Sequence, residues 1–385
     1  MRSSFVRRAW RGSVLALSLA ALAGCSLFSN RNPRYDPAPL TEYTAGISAH
    51  IVWTAALGSG GGYGFAPVVV GDSVYAAAAN GAVARLELTS GRIQWQGNAK
   101  TSLTAGVGSD GQVTAVAATD GSVIAFDSQG KEKWRAHATS QVDIPPTVGA
   151  GIVAVRSSDY RIQAFDENTG EPLWSVQRPG PALALKTNMR MIIVEGLLIA
   201  GLPNGKILAI NARTGHIQWE AAVSVPKGAG DLDRISDVVG APQTQGSLLC
   251  AVAYQGNMKC FDVSQGGRPV WDQRFSSATG MTTDSQQAYA ANQSSEEFAF
   301  SLADGHQVWK QSGLRYRRLS APAVTPQALA VGDYQGYVHF LSRTDGHLLG
   351  RLQVGSDPIT SPLVATRLGV LVQTANGNLT LVGVN

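Results

Sequence analysis

From about residue 46 onward the chain alternates apolar and polar residues over short runs, each closed by a glycine-bearing turn. Asn80-Gly81 is followed by Ala-Val-Ala-Arg-Leu-Glu, then Ser90-Gly91, then a run ending at Trp95. Asp120-Gly121 leads in the same way through Gln129-Gly130 to Trp134, and Asn204-Gly205 through Thr214-Gly215 to Trp219. Asn-Gly and Asp-Gly supply the positive φ angles of tight hairpin turns, and two-residue alternation is the mark of a strand with one buried face. Two further apolar runs precede each unit, the first in phrases such as Ala66-Pro67-Val68-Val69 and Ser361-Pro362-Leu363-Val364. No window holds a 3.6-residue apolar period over three turns, which excludes helical solenoids.

The unit recurs. Trp53, Trp95, Trp134, Trp174, Trp219, Trp271 and Trp309 are separated by 42, 39, 40, 45, 52 and 38 residues. Four short strands in about 40 residues is the size of a propeller blade. Third strands are expected to begin near Gly81, Gly121, Tyr160, Gly205, Gly256, Glu296, Gly336 and Gly377, which makes eight. The last has no fourth strand after it, while Ile47 to Trp53 opens the domain as a fourth strand without a blade. The expected fold is therefore all-β: an eight-bladed propeller of four-stranded antiparallel blades, closed by pairing of its N- and C-terminal strands. A closed ring leaves fewer free sheet edges.

The first 24 residues read as an export signal. Arg2, Arg7, Arg8 and Arg11 precede a short apolar run, Val14 to Ala23, too short for a permanent span. The run closes on Leu22-Ala23-Gly24-Cys25, a bacterial lipoprotein cleavage pattern in which Cys25 takes the lipid. Ser26 follows where Asp is associated with inner-membrane retention, so outer-membrane anchoring is expected. Residues 25–45, rich in Asn and Pro, read as a tether, and 46–385 as the propeller.

Removing the signal changes the charge. The full chain holds 31 Lys+Arg against 27 Asp+Glu. All four leader arginines go with the leader, leaving 27 of each. A neutral mature chain lacks the basic footprint of a nucleic-acid binder.

Candidate chemistry is sparse. A tryptophan that recurs once per blade has a per-blade, structural task, although quinone-binding propellers do stack a cofactor on Trp. The histidines sit singly on different blades, and none forms a metal-ligand pair with another, so neither metal nor cofactor is expected. Glu87, Asp127, Asp166 and Asp262 recur at third-strand ends, where a short acid bonds turn backbone. Cys250 and Cys260 are symmetric about Gln255 in a second-to-third-strand hairpin, and in an oxidising periplasm they form a candidate disulfide. Two connections are too long: the stretch around Leu183-Ala184-Leu185-Lys186, and Val225 to Val239 with Asp231, Asp233, Arg234 and Asp237. Neighbouring blades with extended, oppositely charged loops suggest a built surface.

With lipobox, repeats and loops together, the mature chain resembles the BamB family, propeller lipoproteins of the outer-membrane β-barrel assembly machinery. The phrases Pro181-Ala-Leu183-Ala-Leu185 and Asp233-Arg234-Ile235-Ser236-Asp237-Val238 carry the resemblance most specifically. It implies a non-enzymatic scaffold at the periplasmic face of the outer membrane, binding POTRA domains of the central barrel subunit and assisting unfolded outer-membrane protein clients. It also implies partner contacts at Leu183, Leu185 and Lys186 and at Asp233, Arg234 and Asp237, with apolar anchors and a charged margin. Two positions depart from the family pattern: Lys186 stands in place of arginine, and Val239 in place of a second acid. A quinone-dependent dehydrogenase, or an envelope scaffold for peptidoglycan or division partners, are the alternative readings.

Overall fold

The structure, a computed structural model, describes residues 33–385. The leader and Cys25 lie outside the described residues. The chain divides into two compact units, Met1–Pro37 and Ala38–Asn385. Of the first, only a 3₁₀ turn, Pro33–Tyr35, and the two residues after it are described. The second holds the propeller, whose first strand is Ala49–Ala56, and the segment from Ala38 that leads to it. Ala38 donates its amide to the Arg315 carbonyl (2.9 Å) and accepts from Arg317 Nη1 (2.9 Å), which binds the segment into the ring.

Eight four-stranded sheets make the ring. Blades 1 to 7 span residues 68–98, 108–137, 147–177, 192–222, 238–274, 281–311 and 323–353. Blade 8 takes three strands from residues 364–384 and its outermost from Ala49–Ala56, which pairs antiparallel with Asn378–Val384. Trp53 lies opposite Leu381 in that register. The closure expected from the two leftover strands is thus present.

The tryptophans dock blade on blade. The turn between the third and fourth strands of blades 1 to 7 carries a glycine at positive φ, and in each the preceding blade's Trp ring lies on it. A Cβ at Gly130 would fall 2.4 Å from the Trp95 ring, and one at Gly170 would fall 2.6 Å from Trp134. Glycine is required there twice over, for its backbone angle and for the space. Trp53, Trp134, Trp174, Trp271 and Trp309 also donate their indole N–H to a carbonyl of the next blade at 2.8–2.9 Å. Blade 7 has Gly350 in place of Trp because the incoming chain fills that space: Ile47 lies 2.9 Å from where a Cβ would sit. Each ring is therefore committed to an inter-blade contact. The acids at third-strand ends hold the turns, as with Asp127 accepting from the amides of Gln129 and Lys131.

In blade 5, Cys250 and Cys260 lie directly opposite each other across the hairpin and are joined as a disulfide. Both are buried. Denatured, unreduced protein treated with an alkylating reagent is expected to show no free thiol by mass spectrometry; two modified cysteines would refute the bond. The loop it closes is short, so replacing both cysteines by Ala should cost at most about 3 kcal/mol.

The innermost strands surround the axis. At one face the axis is crossed by residues 187–190, the end of the long connection between blades 3 and 4. Thr187 Oγ1 donates to Ala278 O (2.6 Å), Asn188 Nδ2 to Thr360 O (3.0 Å) and Arg190 Nη2 to Ala66 O (2.7 Å). The same segment exchanges backbone bonds with Gly240. It therefore ties blade 4 to the chain entering blades 1, 5, 6 and 8.

Candidate docking surface

In a four-stranded meander wound from the axis outward, the second-to-third-strand turns and the connections between blades share one face. Both long connections, residues 178–191 and 223–237, lie there. The first is seated by Tyr160, at φ +64° in the blade 3 turn. Gly180 packs on its ring, and Tyr160 Oη donates to the Pro181 carbonyl (3.0 Å). Beyond this seat the loop turns Leu183 outward, 44% exposed, and leaves Lys186 exposed. Leu185 points the other way and packs, half-buried, against the core shared by blades 3 to 6.

The second loop folds on itself. Asp233 Oδ2 accepts from the Gly230 amide (3.3 Å), and Arg234 Nε donates to the Gly228 carbonyl (3.0 Å). With its carboxamide nitrogen toward the loop, Gln255 of the blade 5 turn donates to the Asp233 carbonyl (3.1 Å) and the Leu232 carbonyl (3.3 Å). Asp233 and Arg234 stay exposed, and these bonds shape the loop from within. The result is that Leu232 and Val225 stand out, at 69% and 63% exposure.

Asp237 departs from expectation. It is not at a charged margin: its side chain is fully buried. One carboxylate oxygen accepts the Leu185 amide at 2.6 Å, and the other accepts the Asn204 amide at 3.3 Å. Burial pushes its pKa above the ordinary aspartate value, against these two bonds and the nearby Arg156 guanidinium, which lower it. Arg156, itself buried, donates to the Gly201 carbonyl at 2.6 Å. The physical reason is that the chain turns into blade 5 at this residue, which points the side chain inward at the amides of the neighbouring connection and turn. Of the residues expected at a partner surface, the structure thus brings Leu185 and Asp237 together, below it. Leu183, Lys186, Asp233 and Arg234 are on the surface.

Three apolar residues on this face escaped sequence reasoning: Leu232, Val225 and Tyr63, the last half-exposed on the connection into blade 1. The 52-residue interval marked the loop that holds the first two, but interval length says nothing of which side chain points out. A cleft of about 480 Å³ runs from Tyr63 past Tyr160 and Arg156 to Lys186. Among the described residues no three His, Cys, Asp or Glu side chains gather as a metal-binding group.

Residues 79–311 match the protein family described as Outer membrane protein assembly factor BamB. The Bordetella pertussis protein of that description is 58% identical over the full length of both chains. The Burkholderia pseudomallei protein is 37% identical, covering 94% of this chain and 95% of its own. The crystal structure of BamB from Moraxella catarrhalis superimposes with a TM-score of 0.80 at 25% identity, over 87% of this chain and all of that one. A quinohemoprotein alcohol dehydrogenase from Comamonas testosteroni superimposes with a TM-score of 0.67 at 14% identity, a likeness of fold alone.

Proposed function

The chain belongs to the BamB family of outer membrane protein assembly factors, and from that premise we propose that it is a non-catalytic scaffold whose two-loop face docks a protein partner. Its role is in outer-membrane protein assembly, at that membrane. The partner proposed is the periplasmic POTRA array of the central barrel subunit, with unfolded barrel proteins as clients. Cys25 carries the lipid that holds the protein to the periplasmic face of the outer membrane.

The observation that carries the reading is the exposure of Leu183 beside a loop that exposes Leu232 and Val225, on connections fixed from below by Tyr160, Gln255 and Asp237. Apolar side chains held out on a braced backbone cost little ordering entropy on binding. Such anchors dominate affinity, whereas rim charges contribute little. Titration of the purified protein with the POTRA array is expected to show at least about tenfold weaker binding for Leu183→Asp and for Leu232→Asp, and less than about threefold for Lys186→Ala. Unchanged affinity in both leucine variants would refute docking at this face. Separately, Cys25→Ser should abolish acylation and release the protein from outer-membrane fractions; an unacylated native protein would refute the anchor.

A further inference from the structure

Two buried arginines of this ring have counter-charges. Arg317 pairs with Asp333 at 2.6 Å, and Asp333 also meets His339 at 2.9 Å. Arg156 has Asp237 and Asp143 in its field. Arg190 stands differently. It is half-buried at the axis, and its side chain makes one bond, Nη2 to the Ala66 carbonyl. Among the described residues no carboxylate reaches its guanidinium. Such a group carries five N–H donors, and those not given to Ala66 have no acceptor among the described residues; the side chain lines a cavity of about 530 Å³ on the axis.

The cavity walls are chiefly apolar, with Val68, Met281, Val324 and Val364 on the inner strands and Leu363 just before the last. One carboxylate lines it, Asp284, in the first hairpin turn of blade 6, and it is taken up by Tyr289 Oη (2.8 Å) and Arg343 (3.5 Å). The end at Arg190 is crossed by residues 187–190. No tryptophan lines the space, since each indole is used between blades. Burial brings the Arg190 pKa down to about 10, so the group stays cationic at neutral pH. A half-buried cation with no counter-charge keeps part of its hydration, and an anion on its free edge adds charge-assisted hydrogen bonds.

We propose that the axial cavity is a binding site for a small carboxylate with an apolar body, its carboxylate on the free edge of Arg190 and its body against the inner strands. The volume suits a ligand of that size, and a planar guanidinium takes a carboxylate bidentately. The site is distinct from the docking surface, so either can stand without the other.

The test is calorimetric titration of the purified protein in low-chloride buffer with benzoate, with its neutral analogue benzamide, and with inorganic phosphate. Saturable one-to-one binding of benzoate is expected, with benzamide and phosphate each weaker by at least about tenfold. Arg190→Gln, checked for folding by near-ultraviolet circular dichroism, should lose benzoate to the benzamide level. Arg190→Lys keeps the charge without the fork, so it should retain binding reduced by about threefold or more, and it decides the matter if Arg190→Gln fails to fold. Equal binding of benzoate and benzamide, phosphate as tight as benzoate, or benzoate binding undiminished in either variant would each overturn the proposal.

Discussion

Glu297→Val should stabilise the protein, and by more at pH 8 than at pH 5. Glu297 opens the third strand of blade 6, opposite Ala291. The same register position in the other seven blades holds Val83, Val123, Ile162, Ile207, Met258, Val338 and Leu379, all buried. Glu297 is as buried as they are, and neither carboxyl oxygen has a hydrogen-bond partner. Its neighbour Glu296 meets Lys310, Arg315, Asn292 and Ser312. Burial alone raises the Glu297 pKa well above the ordinary glutamate value, so the folded protein holds it neutral.

An unpartnered neutral carboxyl in an apolar site costs about 1–3 kcal/mol, which Val recovers at any pH. Linkage adds the rest. Above pH about 4.5 the unfolded chain releases this proton while the folded one keeps it, so folding becomes less favourable as pH rises. The slope from this group is about 1.4 kcal/mol per pH unit, until the folded pKa is reached. The advantage of Glu297→Val over the native protein should widen by that slope from pH 5 upward, and Glu297→Gln should show the pH effect without the packing gain. Denaturant unfolding of the three proteins across pH 5–8 measures it. A constant difference between native and Val forms would mean that the carboxyl is ionised in the fold.

Which features could be read in advance follows from how local their causes are. The blade count was legible because the turn that opens each third strand repeats eight times, and the Trp that covers the next blade's turn glycine repeats in seven of the eight blades. Ring closure followed from two incomplete blades at the ends. The register of Cys250 and Cys260 depends only on a turn centred at Gln255. Glu297 was illegible for the converse reason: Ser-Glu-Glu after Asn292 reads as a polar turn, and only the pairing of one residue with Ala291 puts the second acid into an apolar wall. The axial crossing by residues 187–190 joins segments more than 100 residues apart, as with Arg190 and Ala66, and no periodicity announces it. Leu183 and Leu185 look equivalent in sequence, yet one is held out and the other in by a single amide bond to Asp237.

That bond carries the second large effect. Asp237→Ala should destabilise the protein by about 3 kcal/mol and free the loop that presents Leu183. Removing the carboxylate leaves the Leu185 and Asn204 amides buried without acceptors, at about 1–3 kcal/mol each where they cannot rehydrate. It also deprives buried Arg156 of a counter-charge, a kind of loss that is costly because the surviving charge stays buried. Asp237→Asn keeps one oxygen for the Leu185 amide but turns an NH₂ toward a donor or toward Arg156, so it should lie between. Two readouts separate a brace from a contact. Hydrogen exchange at the Leu185 amide should accelerate by at least about tenfold in Asp237→Ala, the change expected when a bond worth roughly 1.5 kcal/mol or more is lost. Partner affinity should fall in step with it, although Asp237 has no exposed surface to offer. Leu183→Asp should weaken the partner while leaving that amide as slow as in the native protein. If Asp237→Ala loses affinity with the Leu185 amide still protected, the carboxylate acts on the partner directly and the bracing role is wrong.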